Sequence, residues 1–228
     1  QSLRTGYVVG VRIELGVLQM AMDGRPDGQR PMGYPSLLEY HEAQVDEDSD
    51  DAKPDPLTPE QCEALRSEAV QYYHRYVALM VLEDFERVVR DTSRNLRVID
   101  LCAGHAATEQ DRVALERFRP YILMMRARAM AGLALRDNEP RAAVLAIDEG
   151  LDTMRRHFTD SGEPQGFDRA SEAQVLREIR EALVPKLPLS QREELTARLQ
   201  QAITDENYEL AAILRDELKS MRDEKPAG

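Results

Sequence analysis

The segment TPEQCEALRSEAVQYYHRYVALMVLEDFERVV, residues 58–89, decides the fold of this chain. Thr58 can cap a helix, Pro59 suits its first position, and Gln61 completes a capping box. From here onward, apolar residues recur at helical spacing almost to the end of the sequence. The pattern predicts helices near 59–82, 85–103, 109–135, 139–158, 169–184, 190–203 and 206–223. The sequence therefore predicts a mainly α protein.

An internal repeat organises the helical part of the sequence. Residues 82–88 align with residues 135–141, and each copy joins a long apolar helix to a second helix through a tight turn at an Asp. Small residues precede the turns, namely Ala78 in one copy and Ala131 and Gly132 in the other, and small side chains let helices approach closely. These helical hairpins loosely resemble those of the tetratricopeptide repeat family. The resemblance implies stacked hairpins with a concave face for a peptide.

Residues 1–45 follow a different pattern. Residues 7–15 and 17–22 each mix alternation with β-branched side chains, which predicts two short strands and a β-hairpin. A lone hairpin is marginal in water, so this one is expected to lie on the helices or to pair with further strands. Residues 34–40 predict a short helix with Ser36 as its N-cap.

Acidic residues and prolines fill the run DEDSDDAKPDP that begins at residue 46. Such a run cannot bury apolar area, which predicts an exposed linker; a docking tail and a weak metal chelator are the functional alternatives. The sequence thus divides into a β-hairpin with a short helix (1–45), an acidic linker (46–57), a helical-repeat body (58–188) and a C-terminal helical hairpin (189–224).

Composition and charge restrict the class of protein. Hydrophobic residues make up 42% of the 228 residues, enough for a real core. The formal charge of −12 disfavours binding of duplex DNA through the bulk surface. Cys62 and Cys102 stand far apart and outside any Cys-x-x-Cys pair, so we expect buried free thiols in a reducing cytoplasm. The sequence contains no apolar run of about 18 residues, which predicts a soluble protein without a membrane span.

The C-terminal hairpin is the most informative segment. The first helix is expected to place one apolar stripe on its inner face, formed by Leu195, Leu199, Ala202 and Ile203. Residues 204–207 are expected to make the turn. The inner face of the second helix is expected to carry Tyr208, Ala211, Leu214 or Arg215, Leu218 and Met221. Ala202 and Ala211 would let the helices close at the turn. Two helices of this size bury too little to be stable alone, so the hairpin must dock on its own body, a twin or a partner.

The runs LTARLQQA (195–202) and DENYELAAILRDEL (205–218) resemble the UVR motif. That motif pairs a Leu-x-x-x-Leu-x-x-Ala helix with an acid-aromatic-Glu-x-Ala-Ala-x-x-Arg-Asp helix, and Arg215 and Asp216 match its Arg-Asp pair. The resemblance implies a protein-binding hairpin. In the family it occurs in the excision-repair subunits UvrB and UvrC, in the middle domain of a chaperone ATPase and in an activator of a protein arginine kinase.

The companions of the motif are missing here. The sequence has no phosphate-binding loop and no paired Cys-x-x-Cys zinc site, and it is too short for the repair nuclease's catalytic domains. We therefore expect a non-catalytic adaptor that binds another protein and needs no cofactor or metal. A homo-oligomer is compatible with the same hairpin. The expected partner-binding residues are Tyr208, Leu214, Arg215, Asp216, Leu218 and Met221.

Other candidate sites have competing interpretations. His74 lies in a tyrosine-rich cluster that either stacks on a ligand or forms a core face with polar tips, and the core face is favoured. This cluster also contains Tyr72, Tyr73 and Tyr76. A methionine stripe at helical spacing favours core over an adaptable peptide groove; its members are Met124, Met125 and Met130. The alternative function is a DNA-repair accessory that touches nucleic acid through a local basic patch, formed by Arg126, Arg128, Arg155 and Arg156. An enzyme of another type would need titratable groups converging in a deep pocket.

Overall fold

The structure, a computed structural model, describes residues 7–13, 16–48, 55–184, 191–205, 207–208 and 210–215. The chain divides into two compact units, Gln1–Pro185 and Lys186–Gly228. The fold is mainly α, as predicted. In chain order the elements are β1 (Val8–Ile13), β2 (Gly16–Ala21), α1 (Leu37–Asp48), α2 (Pro59–Val81), α3 (Phe85–His105), α4 (Glu109–Val113), α5 (Arg119–Arg136), α6 (Pro140–Asp160), α7 (Gly166–Arg169), α8 (Ser171–Leu183) and α9 (Gln191–Thr204).

The N-terminal β-hairpin is confirmed. Strands β1 and β2 pair in antiparallel register, from Val8 opposite Ala21 to Ile13 opposite Gly16. The hairpin lies on the helices, since Nη1 of Arg75 in α2 donates to the Ala21 carbonyl at 2.7 Å. This contact supplies the support that an isolated hairpin lacks in water.

The predicted capping box at the start of α2 is also confirmed. The Thr58 side chain accepts a hydrogen bond from the Gln61 backbone N–H at 3.3 Å. In return the Gln61 side chain accepts one from the Thr58 N–H at 2.8 Å, and Pro59 lies in the first turn. Local sequence alone therefore determined where this helix begins.

Helix α1 is longer than the predicted short helix. Ser36 stands directly before it, as expected for a cap, but its hydroxyl donates to the Glu39 carboxylate. The helix continues to Asp48, inside the predicted acidic linker, so the predicted start of that linker at residue 46 is wrong. Leu57 at the other end of the linker is buried and bridges to Ala106.

Two helical hairpins, α2–α3 and α5–α6, form the centre of the first unit, and α3 packs against α5. Each hairpin turns through one residue with a left-handed backbone, Glu83 (φ 57°) and Asn138 (φ 60°). These two residues are 55 positions apart, whereas the sequence alignment put the repeat at 53. The predicted equivalence of Asp84 and Asp137 is therefore wrong. Asp84 caps α3, while Asp137 ends α5.

The helix predicted over residues 109–135 is interrupted. Helix α4 ends at Val113, a short 3-10 turn covers Glu116–Phe118, and α5 then begins at Arg119. Pro120 lies in the first turn of α5, where its missing N–H is not needed. Inside a continuous helix its ring would clash with the carbonyl four residues earlier, which explains the break.

Apolar side chains fill the first unit in two clusters, one around α5 and α6 and one around α1, the start of α2 and the end of α3. The second cluster contains Cys62 and Cys102, both fully buried and free. Burial raises the pKa of both thiols, that of Cys102 to about 12. The prediction of buried free thiols is confirmed for both residues.

Small residues bring helices close together at two places. Gly132 was among the small residues predicted to do so, although it meets α3 and not its hairpin partner α6, and the contact at Gly150 was not predicted. A Cβ added to Gly150 in α6 would stand 2.5 Å from the Cβ of Ala127 in α5. A Cβ added to Gly132 would stand 2.7 Å from the ring of Phe85. The first neighbour is rigid with its helix backbone, whereas the second is the end of a side chain that can rotate.

We expect Gly150→Ala to lower the free energy of unfolding by about 1–3 kcal/mol, because the new methyl group forces α5 and α6 apart. Gly132→Ala is the matched control. Its helix-propensity gain of about 1 kcal/mol should offset a small movement of the Phe85 ring. Urea denaturation followed by circular dichroism measures both. Equal stability of the two variants would contradict this account of the α5–α6 contact.

A buried charged network, which was not predicted from the sequence, attaches the N-terminal segment to α2 and α3. The guanidinium of Arg75 donates to both carboxylate oxygens of Asp91, at 2.7 and 2.8 Å. Glu68 accepts from the backbone N–H of Leu37 at 3.0 Å and pairs with Arg94. All four charged side chains are buried. Long-range pairing of this kind has no signal in a single sequence, because the partners lie on different elements.

Among the residues that the structure describes, none of the helices has both the length and the apolar character needed to cross a bilayer.

Candidate functional site

The second unit contains the predicted C-terminal hairpin. Helix α9 ends at Thr204, and the chain is helical again at residue 208 and over 210–215. The backbone N–H of Asn207 donates to the carbonyl of Ala202 at 2.8 Å, which closes the turn. The predicted turn over residues 204–207 is therefore confirmed for its described residues.

Asn207 starts the second helix. Its side-chain oxygen accepts a hydrogen bond from the Leu210 N–H at 3.2 Å, and its carbonyl accepts from Ala211 N–H at 3.0 Å. An Asn side chain that accepts from the N–H three residues later is a typical N-cap. The cap fixes the direction in which the second helix leaves the turn.

The described part of the hairpin has a small interior. Ala202, Ala211 and Leu214 are buried together, with Leu199 packed against them. The prediction that the two alanines close the turn end is confirmed. The sequence left open whether Leu214 or Arg215 lies on the inner face. Leu214 is buried and Arg215 is exposed, so the inner residue is Leu214. The side chain of Leu195 lies outside the described residues.

Two residues predicted for the inner face point outward instead. The exposed fraction is 46% for Ile203 and 69% for Tyr208. Ile203 is one position beyond the inward-facing Ala202, and one position turns a helix by about 100°. Tyr208 directly follows the cap, where the second helix has only begun. The predicted inner-face positions are wrong for both residues.

These outward positions belong to an apolar outer face, which we define as Ile203, Tyr208, Leu210 and Ile213. Leu210 is 37% exposed and Ile213 is 63% exposed. Tyr208 was predicted from the sequence to bind a partner, whereas the other three residues were not. A signal was present for Leu210 and Ile213, since both are large apolar residues off the predicted inner stripe, whereas Ile203 had been placed on that stripe.

The remaining partner-binding predictions are divided. Tyr208 and Arg215 are exposed and available to a partner, whereas Leu214 is buried within the hairpin. Three further predicted residues lie outside the described part of the chain: Asp216, Leu218 and Met221.

The tyrosine-rich cluster around His74 does not lie on one surface of α2. Tyr72 is buried between the guanidinium groups of Arg75 and Arg94, at 4.8 and 4.1 Å from the ring centre. Tyr73 and His74 lie on the other side, where both are exposed. The favoured core interpretation is confirmed for Tyr72 and is wrong for Tyr73, whose ring lines an open groove.

The methionine stripe of α5 is core, as favoured. Met124 and Met125 are buried, and Met130 packs against them. The four arginines of the predicted basic patch make contacts of their own. Arg126 donates to the Ser93 hydroxyl at 3.0 Å, and Arg155 pairs with Asp152 at 2.9 Å. Arg128 donates to a Met125 sulfur and Arg156 to the Thr153 hydroxyl.

In the part of the chain that the structure describes, no three His, Cys, Asp or Glu side chains come together in a way that would hold a metal ion.

Comparison with known proteins gives one result. Residues 190–224 match the family model described as the UvrB/uvrC motif. The match covers the hairpin and agrees with the placement predicted from the sequence. No curated protein and no solved structure showed a significant match to the chain.

Proposed function

Because residues 190–224 carry a UvrB/uvrC motif, we propose that this chain is a non-catalytic adaptor that binds another protein through the hairpin. The observation that supports the proposal is the apolar outer face. Four large apolar side chains are exposed on a hairpin in which the described buried side chains are two alanines and Leu214. Leu210 and Ile213 are three residues apart on one helix and therefore lie on the same side of it. Exposed apolar side chains that adjoin one another are typical of surfaces that bind another protein.

The chemistry of the outer face favours packing against a helix or apolar groove of the partner. Tyr208 offers a ring with a polar tip, a side chain common at the centre of interfaces. Arg215 is exposed about two helical turns after Tyr208 and can pair with a carboxylate at the rim. Together they suit a partner with an apolar patch next to an acidic residue.

We expect Ile213→Asp to weaken partner binding by about 30-fold or more, since it places a charge in a desolvated apolar contact worth ~2 kcal/mol. Affinity capture from the source cell's proteins should enrich one protein with the wild-type chain and lose it with this variant. The dissociation constant of the purified pair is then measured by titration calorimetry.

Val81→Asp is the matched control, because Val81 is 80% exposed and lies in the first unit. It should leave capture unchanged. Arg215→Glu should also weaken binding, without changing the free energy of unfolding of the first unit. Equal capture by the wild type and all three variants would reject the adaptor. A second copy as the partner would appear as an oligomer that Ile213→Asp dissociates in sedimentation measurements.

The family match also supports a second candidate, a DNA-repair accessory, because the motif takes its name from two repair subunits. The net charge of −12 and the Arg155–Asp152 pair weigh against it. Binding of duplex or single-stranded DNA at low ionic strength, falling steeply with added salt, would support it over the adaptor.

A further inference from the structure

The first unit contains a groove of about 560 Å³ that is lined by residues of that unit. It lies between α2, α3 and α5, and the 3-10 turn Glu116–Phe118 forms part of its rim. Small-molecule sites commonly enclose about 300–1,000 Å³ and are lined mostly by apolar groups with a few polar ones. The groove has this size and this kind of lining.

Aromatic rings form one wall of the groove. The ring of Tyr73 stands 5.5 Å from that of Tyr76, edge to face, and 6.1 Å from that of Tyr121. At the opening, Val70 is 52% exposed and Phe118 is 45% exposed. The rest of the first unit thus leaves flat apolar surface uncovered, which suits a planar or branched apolar ligand.

One lining cation is not neutralised by a carboxylate. Arg66 pairs with Asp111 at 2.7 Å and with Glu63 at 2.8 Å, so its charge is already balanced. The guanidinium of Arg117 instead lies 4.7 Å from the Phe118 ring, and among the described residues no carboxylate pairs with it. Arg117 therefore gives the groove an available positive charge in a chain whose formal charge is −12.

We infer that the groove binds a small organic anion with an aromatic or branched apolar body. The apolar body packs on Tyr73 and Tyr121, and the acidic group pairs with Arg117. Glu172 also lines the groove and would repel a second negative charge, so the ligand carries a single one. Charge complementarity at the rim and the volume of the groove together select this class of ligand.

Two fluorescent dyes that differ by one charge test the inference on the full chain. Anilinonaphthalene sulfonate carries the ring system and a negative group, and phenylnaphthylamine carries the same rings without it. Both should bind saturably. Arg117→Glu should weaken the sulfonate dye about tenfold and the neutral dye less than about twofold, because only the charge contact changes. Phe118→Ser should weaken both dyes.

Arg156→Glu is the control for charge, since Arg156 is exposed on α6, a helix that contributes no lining residue to the groove. Ile213→Asp controls for dye bound to the hairpin. Neither should alter saturable binding, and thermal unfolding verifies that each variant folds. Three results would overturn the inference: no saturable binding, the same effect from Arg117→Glu and Arg156→Glu, or binding of an acidic peptide while neither dye binds.

Discussion

Replacing Arg75 by Met should lower the free energy of unfolding by about 3–5 kcal/mol, since removing one partner of a buried ion pair leaves the other charge buried, here with the partly exposed Arg90 to balance it. Arg75 is fully buried and donates to both carboxylate oxygens of Asp91. It also donates to the carbonyls of Ala21 and Gly24, each at 2.7 Å. Met preserves the apolar volume of the side chain but can satisfy none of these acceptors.

Urea denaturation of the full chain measures this loss of stability. A double variant, Asp91→Leu with Arg75→Met, separates the effect of the buried charge from the effect of altered packing. We expect the double variant to be more stable than Arg75→Met alone, because the buried carboxylate at position 91, which has lost Arg75, is then removed as well. The two carbonyls stay unsatisfied, so recovery should be partial. A loss below about 1 kcal/mol for Arg75→Met would show that Arg90, which also donates to Asp91 at 2.9 Å, can replace it.

Glu68→Ala should destabilise the chain by about 3 kcal/mol or more, because it leaves a buried cation without its carboxylate partner. The buried carboxylate of Glu68 pairs with Arg94 and with Arg25, the latter at 3.2 Å. It also accepts the N–H of Leu37 at the start of α1. Burial already lowers the pKa of Arg94, which shows how poorly that site holds an isolated cation; Glu68 opposes this shift.

Glu68→Gln is the matched variant, since it keeps the shape and one acceptor but removes the charge. We expect it to fall between the wild type and Glu68→Ala in urea denaturation. Hydrogen exchange should show faster exchange of the Leu37 amide in the Ala variant than in the Gln variant. Equal stability of the Gln and Ala variants would mean that charge, rather than the Leu37 contact, accounts for the whole effect.

Both variants act on the same structural feature, the attachment of the N-terminal segment to α2 and α3. The loop between β2 and α1 is rich in Gly, Pro and charged residues and offers little apolar area to bury. The loop is therefore attached by hydrogen bonds, which Arg75 donates and Glu68 accepts, and not by an apolar contact. This accounts for buried charges in a region that contains no sequence motif.

Elements that depend on near neighbours were predictable. The capping box at Thr58, the β-hairpin and the alanines that close the C-terminal hairpin were all confirmed. Each of them rests on residues within a few positions of one another, where hydrogen bonds and side-chain spacing follow directly from the chain. The motif at residues 190–224 was recognised for the same reason.

Elements that depend on distant residues were not predictable. The outward turn of Ile203, the groove beside Tyr73 and the Glu68 and Arg75 networks all depend on how separate helices meet. The sequence by itself determined that this chain is helical, where most helices begin, and that it ends in a hairpin closed by alanines. Only the tertiary structure decided which charges are buried and which apolar side chains stay exposed, because burial depends on contacts between segments that are far apart in sequence.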